Sequence, residues 1–412
     1  MYNYNEKNYT LAKSRILVFN LIGELKRRIM NILVVTHSTK FSGANRSLFS
    51  IILRLKKQNN VIVLVNKDNG TLIDKLKEID VDYIVCRYGW WVSEKRKNIF
   101  RQIGKISKDY AKYKTSFILN SLIRQLKGKN IEIVYTNTST VDFGQKIASR
   151  LAVPHVWHVR EFGKEDFSFI DLTKNTYKIE TFNKADKIIT ISKSLREKFE
   201  KFVPIDKLAL VYNGFEIENM IYSTRKHIDV NKVNIISVGQ VCEAKGQNQI
   251  IKACEKLVSL NYNVNLYLAG DIDPSYLKSY IDNINAYPWL HILGQVNDIY
   301  ELRKKMDIEV LCSRSEAFGR VTIEAMLHSI PFIGANCGCT KELVEDHYNG
   351  LLYEYGNIDS LVTCIIELIN NSYLYQLIQE NEVSFAKQFT IDKTINCVEK
   401  ILRVEVNKTK AK

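Results

Sequence analysis

The chain has only 5 prolines and 18 glycines among 412 residues. That is too few for a collagen-like chain, a linker array or a broadly disordered protein. Long apolar runs are scarce as well. The most apolar early window, 16–35, is interrupted by Glu24, Lys26, Arg27 and Arg28, so it falls short of the roughly 18 uncharged residues a membrane helix needs. The start also lacks a signal peptide's order of basic region, apolar core and small-residue cleavage site. No pair of cysteines has CxxC spacing, and the closest two, Cys337 and Cys339, have no second pair or nearby His to complete a zinc site. Reduced thiols in a cytoplasm are the expectation. No short-period repeat or low-complexity tract is present.

At roughly 100 to 200 residues per domain, the length predicts two domains. Hydrophobic residues make up 46% and charged residues 25%, an ordinary globular balance, but the net charge is +14. That charge is uneven. Residues 1–215 hold 39 Lys and Arg against 20 Asp and Glu, and residues 216–412 hold 20 against 25. The excess is densest in 87–129, where Lys95, Arg96, Lys97 and Arg101 stand among Tyr88, Trp90, Trp91, Phe100 and Tyr110, with only Glu94 and Asp109 opposing. Basic residues mixed with amphipathic aromatics suit an anionic lipid surface or a nucleic acid backbone. No RNA- or DNA-binding module is recognisable, so nucleic acid is not expected as a partner.

Short β-branched runs alternate with longer helical patterns, the sequence sign of βαβ units and parallel sheets. In the first half strands are expected at 31–36, 60–65, 83–86, 131–135, 155–159, 187–191 and 208–212, with the basic stretch 95–127 helical. A second series follows, with strands at 234–238, 264–269, 291–293, 308–312 and 331–333 and three helical patterns after 358. The expected organisation is an N-terminal extension over 1–29, a doubly wound domain over 30–215 and a polar linker over 216–231. A second such domain covers 232–390, and a C-terminal helix and tail cover 391–412. In open α/β sheets ligands bind beyond the carboxyl ends of the strands, so the cleft between the halves is the expected site.

The most informative stretch is SRSEAFGRVTIEAM at 313–326, after the apolar strand 308–312. A strand, a loop carrying Glu316, Phe318 and Gly319, then a helix from near Val321 puts a helix N-terminus at the cleft mouth, where backbone N–H groups attract phosphate. Glu316 in the loop and Glu324 a turn into the helix can grip hydroxyls on two parts of one ligand. Gly43 follows the first strand, where a glycine lets backbone amides approach a diphosphate or its sugar. Lys245 is placed to neutralise a departing diphosphate. The triplets Asp80–Asp82 and Asp271–Asp273 read as loop carboxylates, not a metal site.

The two glutamates with seven residues between them, EAFGxxxxEAM, resemble the E-x7-E signature of retaining glycosyltransferases of family four, which have the GT-B fold. Agreement extends to VGQVCEAKGQNQIIKA (238–253), LAGD (268–271), LGQVND (293–298), GCTKELVEDHYNGLLY (338–353), FSGANRSL (41–48), HVRE (158–161), ADKIITIS (185–192) and VYNGFE (211–216). The resemblance implies two Rossmann-like domains facing across a cleft and a nucleoside diphosphate sugar held by the second. It places His158 at the donor sugar and reacting centre, followed by Arg160 and Glu161, and Asn213 at the hinge. Phe318, Gly319 and Val321 would offer backbone amides to sugar and phosphate, while Gln295 and Val296 would lie along the base. The family commonly has Arg directly after its first glycine; here Gln240 stands there, and Arg320 is the candidate replacement. Front-face attack with retention follows from the resemblance, without a metal or other cofactor. The charge of the first half points to the inner face of the cell membrane and a glycan or polyprenyl-diphosphate-linked acceptor. A catalytically silent subunit of the same fold and a nucleotide-sugar epimerase are the competing readings.

Overall fold

The computed structural model describes residues 28–96, 98–114, 117–219 and 228–411. Most of the expected extension, part of the linker and Lys97 lie outside the described residues. Fifteen strands are present among those described: β1 Asn31–Val35, β2 Asn60–Val65, β3 Tyr83–Val85, β4 Val92–Ser93, β5 Ile133–Asn137, β6 His155–Val159, β7 Ile170–Asp171, β8 Lys187–Thr190, β9 Leu208–Leu210, β10 Val233–Val238, β11 Val264–Ala269, β12 Leu290–Gly294, β13 Ile308–Leu311, β14 Phe332–Ala335 and β15 Leu351–Tyr353.

Seven strands form one parallel sheet in the order β3-β2-β1-β5-β6-β8-β9, and six form a second in the order β12-β11-β10-β13-β14-β15. Both orders reverse direction in the middle, between β1 and β5 and between β10 and β13. These two switch points open crevices at the strand carboxyl ends. The strands are apolar because helices cover both faces: Ile32, Leu33, Val34 and Val35 are all buried. A two-stranded antiparallel pair, β4 with β7, sits beside the first sheet.

The helix Ile391–Lys410 buries Ile391, Ile395, Val398, Leu402 and Val406, spaced along one face, against Met30, Ile32, Leu48 and Ile51 of the first domain. The last helix therefore completes the first domain's core, and the chain crosses between domains twice. At the crossing Phe215 N–H donates to Phe389 O (2.9 Å) and Ile391 N–H to Phe215 O (3.0 Å). Gly214 is required there, since a Cβ would lie 2.5 Å from Ile391 Cα and from Thr390 O. No single helix among the described residues is long and apolar enough to cross a membrane. The pair Ile358–Asn370 and Ser372–Ala386 has the composition but bends by 98°, and both helices pack in the second core.

Candidate active site

Two loops meet at the switch point of the second sheet. After β10 the chain turns through Gly239 and a single 3-10 turn, Glu243–Lys245, into Gly246. Gly246 has φ 64°, and a Cβ there would lie 2.7 Å from Cys312 O at the end of β13. That approach brings Lys245 against the loop after β13, where its Nζ donates to Glu316 Oε1. Burial pulls the Lys245 ammonium down, but the Glu316 carboxylate outweighs it, so the net shift is upward. Lys245 is charged and held in place.

The same loop ends at Gly319, the N-cap of the helix Arg320–Leu327, with φ 78° and no side chain to offer the first-turn N–H groups. Thr322 N–H turns back to Gly319 O (3.0 Å), and the N–H groups of Arg320 and Val321, with no partner among the described residues, remain available to an anion. From this helix Glu324 accepts from Arg303 Nη1 (3.2 Å) and faces Arg320 Nη2 (3.5 Å). Arg303 is itself forked onto Glu309 by two 2.9 Å bonds, with both side chains fully buried. Burial pushes the Glu309 carboxyl up and Arg303 offsets part of that rise, while Arg303 holds Glu324 from beneath.

Facing them, the carboxyl ends of β5 and β6 carry Tyr135, Asn137 and His158. Arg160 donates through Nε to Asn137 Oδ1 and through Nη1 to Asn213 Oδ1, both at 2.5 Å, and its Nη2 lies 3.3 Å from His158 Nδ1. Tyr135 OH also meets Nδ1. A guanidinium only donates, so this pattern assigns Nδ1 as acceptor and places the ring proton on Nε2, which has no partner among the described residues. Burial, then the Arg160 charge, holds the His158 pKa well below the usual range. His158 is a neutral imidazole with an unused donor. His155, at the other end of β6, bonds Thr136 Oγ1 (2.7 Å) under the helix Phe143–Leu151.

The two sides meet. Arg320 Nη1 donates to Ser47 Oγ (3.0 Å) in the helix Gly43–Leu55, and its guanidinium lies 4.4 Å from the Phe215 ring centre. The charge of Arg320 helps depress Arg160 after burial has done so. Glu342 accepts from the N–H groups of Lys193 (2.8 Å) and Ser194 (2.7 Å) across the cleft, and Lys40 pairs with Asp271 at 3.6 Å. Asp166, pushed up to about 6 by burial, is near enough to feel Glu316.

Lys245 and Glu316 come together, as do Arg320 and Glu324, and His158, Arg160 and Asn213. The other expected residues stand outside these three groups. Glu161 turns from the cleft and accepts from the N–H and hydroxyl of Ser139, with burial raising it to about 7. The Phe318 ring packs among Tyr212, Phe215 and Phe389 at the crossing. Gln240 and Gln295 are exposed, Val296 is half-buried, and Val321 is half-buried in the first helical turn. Open space surrounds Gly43, with no atom within 4 Å of a Cβ built there. Lys95, Arg96 and Arg101 are surface residues, Arg96 pairing with Glu94 at 3.1 Å. Tyr135, Asn137, Arg303, Glu309, Asp166 and Ser47 were not singled out from the sequence. Among the described residues no three His, Cys, Asp or Glu side chains gather where they could hold a metal ion. Asp273 caps the helix Pro274–Lys278.

Known proteins share the fold that carries this site. Residues 41–219 match the model described as Glycosyltransferase Family 4, and residues 222–384 match Glycosyl transferases group 1. An uncharacterized glycosyltransferase of Methanocaldococcus jannaschii is 27% identical over 343 residues, 80% of this chain and 91% of that protein. The UDP-Gal:alpha-D-GlcNAc-diphosphoundecaprenol alpha-1,3-galactosyltransferase of Escherichia coli is 23% identical over 70% of this chain and 80% of its own length. The crystal structure of Anabaena HepE in complex with UDP superposes with a TM-score of 0.73 at 21% identity, covering 90% of this chain and 99% of that one. The two family models succeed one another along the two domains that form the cleft, and the chain belongs to the GT-B glycosyltransferases of the family-four type.

Proposed function

We propose that this chain transfers a hexosyl group from a nucleoside diphosphate sugar, with retention, to a glycan or polyprenyl-diphosphate-linked acceptor in surface-polysaccharide assembly. The observation that carries the reading is the Lys245–Glu316 pair beside an uncapped helix N-terminus, opposite a neutral His158 with a free donor. Donor binding exchanges partners: Lys245 turns from Glu316 to the diphosphate, and Glu316 accepts from sugar hydroxyls. Glu324 takes the ribose hydroxyls, and Gln295 and Val296 flank the base. His158 Nε2–H donates to the sugar. The C1–O bond to the diphosphate breaks as the acceptor oxygen bonds C1 from the same face, and the acceptor proton passes to the leaving phosphate. Lys245 and the N–H groups at Gly319–Val321 stabilise the growing negative charge, so transfer proceeds without a metal or other cofactor.

Support for the donor comes from the HepE structures with UDP and UDP-glucose, and for the acceptor from the diphosphoundecaprenol substrate named for the E. coli relative. In this reading the enzyme works at the inner face of the cell membrane, where Lys95, Arg96, Lys97 and Arg101 contact anionic lipid. A nucleotide-sugar panel read by thermal shift tests the donor, since a ligand at 100 times its Kd stabilises by about 2.7 kcal/mol. Transfer with the matched donor is then followed by NMR of the product's anomeric proton. No stabilisation by any nucleotide sugar, or an inverted product, refutes the reading.

A further inference from the structure

Two successive helices in the basic stretch treat their apolar residues in opposite ways. The helix Phe117–Lys127 buries Leu119, Leu122, Ile123 and Leu126 in the first domain's core. The helix Ile99–Tyr113, capped by Asn98 accepting from Arg101 N–H, buries Gln102 alone. Its Ile99 is 64% exposed, Phe100 80%, Ile103 57% and Tyr110 40%. At about 100° per residue, Ile99, Ile103 and Tyr110 share one stripe and Phe100 flanks it, while Arg101 and Lys108 lie on the opposite side. The side fixed to the protein lies between these two: Gln102 accepts from Arg96 N–H, Asp109 accepts from Ser93 Oγ (2.8 Å), and Ile106 and Tyr113 are half-buried beside them. Packing against the protein does not account for Ile99, Phe100 and Ile103 standing in water, since each forgoes burial there.

We infer that the helix Ile99–Tyr113 inserts its apolar stripe into the interface of an anionic bilayer, with its basic side among the lipid phosphates. The charge complementarity is on the helix itself, whose basic residues outnumber the single acid, Asp109. Asp109 is already paired with Lys105 at 3.2 Å. A cationic helix with an outward apolar stripe is the form that lies in a membrane plane. Its far end is anchored near the cleft: Tyr113 OH donates to Asp142 Oδ2 (2.7 Å). Asp142 closes the loop after β5 in which Ser139 binds Glu161, the neighbour of Arg160. The inserted helix thus stands at the rim of the acceptor side, so a head group emerging from lipid enters beside His158. This deepens the membrane reading above and rests on it, while replacing charge alone with apolar insertion as the source of attachment.

The test is sedimentation of the full chain with vesicles of phosphatidylglycerol and phosphatidylcholine, and with phosphatidylcholine alone. Wild type is expected to bind the anionic vesicles. The variant Ile99→Ser/Phe100→Ser/Ile103→Ser, whose changes are all at exposed positions, is expected to lose at least about tenfold in partitioning at unchanged Tm. Arg101→Glu/Lys108→Glu is expected to weaken binding in a salt-dependent manner. If the triple serine variant binds as wild type does, insertion is overturned. If charge reversal abolishes that same binding, the electrostatic attachment survives. A wild type that ignores vesicles, or that dimerises through this stripe so that the triple variant is monomeric, also overturns the inference. Donor-dependent transfer to a short soluble acceptor stays at the wild-type rate in the triple variant, so loss of that activity in wild type condemns the enzymatic reading and not the helix.

Discussion

Replacing Arg303 by methionine removes the cation beneath the cleft and leaves two carboxylates to fend for themselves. Arg303 and Glu309 are both fully buried and joined fork to fork, and Glu324 loses its 3.2 Å partner in the same step. Breaking a buried pair by deleting one partner costs about 3–5 kcal/mol, because the other charge stays buried without compensation. For a domain of this size each kcal/mol moves Tm by about 2–4 °C, so the fall expected is about 6–20 °C. Glu309 without Arg303 takes up a proton. A buried carboxyl with a raised pKa contributes stability below its unfolded pKa that is lost as pH rises through the folded value. The variant's deficit is therefore smaller near pH 5 than near pH 8. Removing both charges in Arg303→Met/Glu309→Leu restores stability to within about 1 kcal/mol of wild type. Guanidinium denaturation at the two pH values measures all three proteins, and steady-state kinetics adds a rise in donor KM larger than the fall in kcat, since Glu324 is loosened. A loss below about 1 kcal/mol that does not vary with pH, or a double variant no better than the single one, refutes the reasoning.

Three further outcomes follow from the same geometry. Lys245→Ala lowers kcat by about 100- to 1000-fold, the usual consequence of deleting one electrostatic stabiliser of a leaving oxygen; unchanged turnover with the saturating donor contradicts its assignment. Glu161, raised to about 7 by burial, loses stabilising free energy as pH climbs through that value, so Glu161→Gln is expected to gain on wild type between pH 5 and pH 8, by on the order of 3 kcal/mol; parallel Tm curves would exclude this. Gly214→Ala forces a Cβ against Ile391 and Thr390 at the interdomain crossing, costing about 1–3 kcal/mol, which differential scanning calorimetry detects as a Tm drop.

The alternation of strands and helices was readable because parallel strands covered on both faces must be continuous apolar runs, as in Asn31–Val35. The reading failed where apolarity stops being the signal. The strand expected at 131–135 runs instead from Ile133 to Asn137, with a polar end whose side chains have partners: Thr136 bonds His155 and Asn137 binds Arg160. The pair β4 and β7 spans two residues each, too few for any alternation, and β15 occupies only Leu351–Tyr353. The basic stretch read as one helix over 95–127 is two, Ile99–Tyr113 and Phe117–Lys127, and the sequence did not separate them because neither proline nor glycine stands between Tyr113 and Phe117.

At the site, legibility follows sequence distance. The Glu316–Glu324 spacing and the Lys245–Gly246 turn are local, so residue types in order were enough to single them out. The groups that hold them are not: Arg320 finds Ser47 and Arg160 finds Asn213 only through the fold. Arg303 to Glu309 spans just six residues, yet nothing in ELRKKMDIEV distinguishes the one arginine that turns inward from the lysines that stay out. Gln240 shows how the two levels combine. The loop after β10 has no cation at that position, and the glutamine itself is exposed. Across the same switch point, Arg320 stands at the first position of the helix with Glu324 on one side and Ser47 of the other domain on the other. The cation on this helix is therefore held by both domains at once, through Glu324 of its own helix and Ser47 of the other side.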